Sequence, residues 1–81
     1  MLNMVEIHDE TKRLGFKPDI WRRDSQGRFK DAATMNARGA VFHALESRHA
    51  PKAIAATIGL STNAYRRIRN YHIGVVEGRY G

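Results

Sequence analysis

Eighty-one residues, 42% of them hydrophobic, suffice for one domain with a small core, and the absence of cysteine excludes a disulfide-built scaffold. No stretch approaches the roughly 18 consecutive apolar residues of a membrane span, so a cytoplasmic protein without a membrane role is expected. The net charge of +6 makes a polyanion the natural partner, although a basic face kept for solubility would give the same composition.

The amino-terminal stretch MLNMVEIHDETK has no long apolar run and turns acidic at Glu6, so it is not expected to act as a signal peptide. Within residues 1–16, Met4, Ile7, Thr11 and Leu14 recur at helical spacing. Gly15 followed by Phe16 reads as a glycine stop with an apolar residue folding back. A short strand over residues 4–7 is the alternative. Asp9 and Glu10 diverge on a helix, so they do not form an acid/base pair.

Residues 18–31 read as strand, turn and strand. Asp24 and Gly27 supply the turn, and Ile20, Trp21 and Phe29 supply an apolar side that packs on helices or on a second subunit. In the alternative reading the same segment is a flexible basic arm whose Arg22, Arg23, Arg28 and Lys30 reach a minor groove. The packed hairpin is preferred.

A helix is predicted over residues 32–48, capped by Thr34 or Asn36, with Val41, Phe42 and Leu45 as its buried stripe. Gly39 falls on another side. There it weakens the helix by roughly 1 kcal/mol relative to alanine unless something approaches closely. Ser47, Arg48 and His49 make a polar corner before Pro51.

Residues 51–70, PKAIAATIGLSTNAYRRIRN, carry the densest set of signals. Pro51 suits a first helical turn, Ile54, Ala55 and Ile58 share one side, Gly59 suits a left-handed stop, and Ser61 is an N-cap for the next helix. Stepping about 100° per residue from Thr62 gathers Tyr65, Ile68 and His72 on one face and Thr62, Asn63, Arg66, Arg67 and Asn70 on the other. Residues 1–46 hold eight basic and seven acidic side chains, residues 47–81 six and one, and no acid occurs between Ser47 and Val76. The charge belongs to this half.

This spacing resembles the helix-turn-helix family of phage and bacterial repressors and activators, through Ile54, Ala55, Ile58, Gly59, Leu60 and Ile68, over about a quarter of the chain. Tyr65 departs from the branched aliphatic residue usual in the family. The string RDSQGRF also resembles a short segment found near the start of phage-encoded DNA-handling proteins. Two ordinary amphipathic helices joined by a glycine turn are the plainer reading of the same residues.

The tail continues from Asn70 to His72 or Ile73 and stops at Gly74. Val75 and Val76 then form a short strand, pairing with the hairpin or with the same strand of a second chain, or else a frayed terminus. The fold class expected is therefore mainly α: a tri-helical helix-turn-helix core over residues 32–73, a small β-hairpin and a C-terminal strand in residues 74–81, all in one domain.

The resemblance implies sequence-specific binding of double-stranded DNA by a repressor-like transcriptional regulator of phage or mobile-element type. It would act as a homodimer on a two-fold site with half-sites about 34–36 Å apart. Asn63, Arg66, Arg67 and Asn70, with Thr62, would read bases, because arginine forks onto guanine and asparagine pairs with adenine. Ser61, Arg69, Lys52 and Arg48 would contact phosphates. A DNA-binding module of a phage packaging or nuclease machine, and a protein-interaction domain directed at an acidic host protein, are the alternatives. An enzyme is not expected. His8, His43, His49 and His72 are scattered, Ser25, Ser47 and Ser61 fall at turns or caps, and no phosphate loop, metal set, cofactor motif or small-molecule site is present.

Overall fold

Side-chain and backbone caps mark several of the helix ends in the computed structural model. The structure describes residues 1–21 and 32–79, is mainly helical, and contains no strand among those residues. The first helix, α1, spans Met4–Arg13, where Asn3 Oδ1 accepts the Glu6 N–H at 3.1 Å. A single 3-10 turn, Pro18–Trp21, follows; then come α2 (Ala32–Leu45), α3 (Pro51–Ile58) and α4 (Thr62–Val76). None of these helices is long and apolar enough to cross a membrane.

One closure recurs at three helix ends. The Phe16, Leu60 and Arg79 N–H groups donate back to the carbonyls of Thr11, Ala55 and Gly74 at 3.0, 2.9 and 2.8 Å, each just after a glycine. These are Schellman turns, which satisfy carbonyls that the helix leaves unpaired. At Gly59, φ is +88° with open space where a Cβ would stand, so conformation and not room requires glycine there.

Helix α2 lies at the centre. It is apolar on more than one side because it has several neighbours to meet. Val41, Phe42 and Leu45 are fully buried, as are Ile54 of α3 and Tyr65 of α4. The Phe42 ring lies 4.5 Å from that of Tyr65 and 5.7 Å from that of Trp21, which joins the two halves of the core. On the α1 side, Trp21 Nε1 donates to Thr11 Oγ1 at 2.9 Å, and the Arg38 guanidinium stands over the Trp21 ring while its Nε donates to the Ile20 carbonyl.

The packing of α4 along α2 is the most extensive in the molecule. It crosses at Gly39, where a Cβ would stand 2.6 Å from both His72 Cβ and the Ile68 carbonyl oxygen. Glycine is needed at that crossing to let the backbones approach.

The structure corrects several sequence-based expectations. Ile20 and Trp21 belong to a 3-10 turn and not to a strand, since the Ile20 N–H closes on the Lys17 carbonyl next to Pro18. The remainder of that hairpin, Asp24, Gly27 and Phe29, and the alternative arm of Arg22, Arg23, Arg28 and Lys30 lie outside the described residues. Thr34 and Asn36 sit inside α2 and do not cap it, because the helix begins at Ala32; it ends at Leu45, short of Arg48. Val75 and Val76 are helical. α4 passes through Gly74 and closes one turn later at Gly78, since no described strand is there to pair with them and the helix supplies their backbone bonds.

Candidate nucleic-acid interface

Helix α4 is positioned by its inward face and by its first turn. Ser61 Oγ accepts the Ala64 N–H at 3.1 Å, which fixes where the helix starts relative to the Gly59 turn. Tyr65 and Ile68 are buried against α2, and His72 Nδ1 lies 2.8 Å from Asn36 Oδ1 of α2. The His72 imidazole is held below its ordinary pKa, first by burial and then by the neighbouring His43.

With those residues inward, Thr62, Asn63, Arg66, Arg67 and Asn70 all emerge on the exposed side. No carboxylate among the described residues pairs with Arg66 or Arg67. Lys52, exposed in the first turn of α3, likewise takes part in no ion pair among them. The nearest acid along α4 is Glu77, past its end, and it pairs with Arg79 at 2.7 Å.

Two of the cations assigned to phosphates from the sequence are engaged elsewhere. Arg69 is 22% exposed, and its Nη1 lies 2.9 and 3.1 Å from the two carboxylate oxygens of Glu46, just beyond α2. Its Nε donates to Asn70 Oδ1 at 3.0 Å, so Asn70 is also partnered. Arg48 reaches back to α1, to Glu6 Oε2 at 3.3 Å and Glu10 Oε1 at 3.0 Å, while His49 Nε2 lies 2.8 Å from Glu6. The Glu6 carboxyl is held below its usual range, by the His49 hydrogen bond and then by Arg48. That of Glu10 is lowered chiefly by Arg13 and further by Arg48, against the opposing effect of burial.

Sequence reasoning missed Glu46. Its carboxylate accepts the Tyr65 hydroxyl at 2.5 Å besides holding Arg69, and so meets the need for a hydroxyl partner that a buried tyrosine brings. Burial, and then the hydrogen bond to Glu46, push the Tyr65 pKa far up, so the phenol stays protonated and donates. A signal existed in that a buried tyrosine needs an acceptor, but 19 residues separate the two and nothing local pairs them.

Past the crossing, His43 and His72 bring their ring centroids to 6.1 Å beside a groove of about 260 Å³ lined also by Ile73, Val76 and Glu77. The described residues hold no group of three side chains able to bind a metal ion. Comparison of the chain with known protein families, curated proteins and solved structures gives no match.

Proposed function

We propose that the chain binds double-stranded DNA sequence-specifically as a repressor-like transcriptional regulator, with α3, the Gly59–Leu60–Ser61 turn and α4 serving as a helix-turn-helix. The observation that carries this reading is the outer face of α4. There Asn63, Arg66 and Arg67 stand exposed, without an ion-pair or hydrogen-bond partner among the described residues, on a helix whose opposite side is buried. A protein surface normally intersperses charges of both signs; an acid-free face with amide and guanidinium groups suits the floor of a major groove.

In this reading α4 enters the groove by its amino-terminal half. From Thr62 to Asn70 it extends about 12 Å, enough for a few base pairs. Arg66 and Arg67 fork onto guanines, and Asn63 and Asn70 pair with adenine, the Asn70 amide oxygen keeping a second lone pair beside the one that accepts from Arg69. Thr62 and Ser61 meet the backbone at the helix start. The Ser61 oxygen is occupied as a cap, but its proton is still free to donate to a phosphate. Lys52 contributes a phosphate contact from α3, whereas Arg48 and Arg69 hold the frame. The setting that accompanies such a role is the cytoplasm.

So short a helix needs a second copy to specify a site, and the proposed working form is a homodimer. Exposed Val75 and Val76 at the far end of α4 support that surface, since it lies away from the arginines.

Selection of bound sequences from a random duplex pool, followed by affinity measured against salt, tests the proposal. A two-fold consensus and a steep salt dependence are expected. Binding without a consensus would favour a packaging or nuclease module, and binding insensitive to salt would overturn the DNA role.

A further inference from the structure

Resting on the DNA-binding reading, we propose that Glu46 acts as an internal counter-ion that withholds Arg69 from a DNA phosphate and so sets the sequence-independent part of DNA affinity. Three observations meet at this carboxylate. Both of its oxygens lie within hydrogen-bond distance of Arg69 Nη1, at 2.9 and 3.1 Å. One of them also accepts the Tyr65 hydroxyl at 2.5 Å, so the carboxylate is anchored on the inward side of the same helix whose flank carries Arg69. Glu46 and Arg69 are both mostly buried, at 18% and 22% exposure, while Arg66 and Arg67 on the neighbouring turn are exposed.

The consequence follows from how cations contribute to DNA affinity. Each phosphate neutralised by the protein releases counter-ions and adds affinity for any sequence alike. Withholding Arg69 removes one such contact and leaves α4 with the two arginines that face base edges. Glu46 therefore lowers the sequence-independent part of DNA affinity, for a random duplex and a chosen site alike. Through Arg69 it also fixes Asn70, whose amide oxygen accepts from the Arg69 Nε.

The test compares the wild-type chain with Glu46→Gln, which keeps shape and a hydrogen-bond acceptor for Tyr65 but removes the charge. Binding to a random-sequence duplex is followed by fluorescence anisotropy between 50 and 500 mM potassium chloride. Release of Arg69 to a phosphate should steepen the plot of log affinity against log salt by about 0.9 and tighten random-duplex binding about eightfold at 100 mM. The double variant Glu46→Gln, Arg69→Ala should return to the wild-type slope. Glu46→Asp, which retains the charge, should keep that slope even with a lowered melting temperature, and so separates charge from packing.

Should Glu46→Gln leave the slope unchanged while the wild type binds DNA, the counter-ion role fails and the DNA reading stands. The role fails equally if the double variant is as steep as the single one. A wild type with no salt-dependent duplex binding overturns both.

Discussion

Replacing Gly39 by alanine tests the α2–α4 crossing most directly, because the two effects involved oppose each other. On an exposed helix face this change stabilises by roughly 1 kcal/mol, since alanine restricts the unfolded chain and favours helix. At Gly39 the added methyl would stand 2.6 Å from His72 Cβ and 2.6 Å from the Ile68 carbonyl oxygen. Neither is the far end of a flexible side chain, so α4 itself must move outward by several tenths of an ångström. Overpacking of a rigid contact costs about 1–3 kcal/mol, and the upper part of that range applies where backbone must yield. A net loss of about 1–2 kcal/mol remains, which in a domain of this size lowers Tm by about 5–15 °C. Thermal melts followed by circular dichroism, with urea unfolding as a check, measure it directly. A Gly39→Ala protein as stable as the wild type, or more so, would refute the close crossing.

Arg66→Ala or Arg67→Ala should each weaken the selected site by about 1–3 kcal/mol and relax its consensus, whereas Lys52→Ala should weaken all duplexes about equally; competition binding against selected and scrambled DNA distinguishes these outcomes. Gly59→Val forces a β-branched residue to φ near +88° and should cost about 1–3 kcal/mol, so an unchanged Tm would show that the turn does not require the left-handed conformation. Tyr65→Phe removes a hydroxyl bonded to a carboxylate and should cost about 1–2 kcal/mol in urea unfolding, while a fully stable variant would mean that Glu46 needs only Arg69. Glu6 and Glu10 have folded pKa values below the free carboxyl value of 4.5, so their contribution to stability is present above that value and is lost as pH falls through the lowered ones. Glu10→Gln should accordingly flatten the fall in Tm between pH 6 and pH 3; an equally steep fall would assign acid sensitivity to other groups.

Local signals that stay within one turn of chain were legible in the sequence. Gly15 with Phe16, Gly59 with Leu60, and Ser61 each declare a helix end through a bond to a residue no more than five positions away, and the structure closes all three as their chemistry requires. The division of α4 into Tyr65 and Ile68 inward and Arg66 and Arg67 outward follows from helical spacing alone. Val75 and Val76 were not legible in this way: β-branched residues suit a strand, yet a strand needs a neighbour, while α4 was already in place to extend.

The amino-acid sequence by itself determined the helical character of the chain, the stops at Gly15 and Gly59 and the face on which α4 carries its amides and arginines, because each depends on backbone chemistry over a few residues. Only the tertiary structure decided which cations are spent on the protein itself. Arg69 meets Glu46 across 23 residues and Arg48 meets Glu10 across 38, and Gly39 is indispensable only because α4 comes to lie on it. Such pairings arise when helices pack, and a charge in the sequence carries no mark of the partner that packing will bring to it.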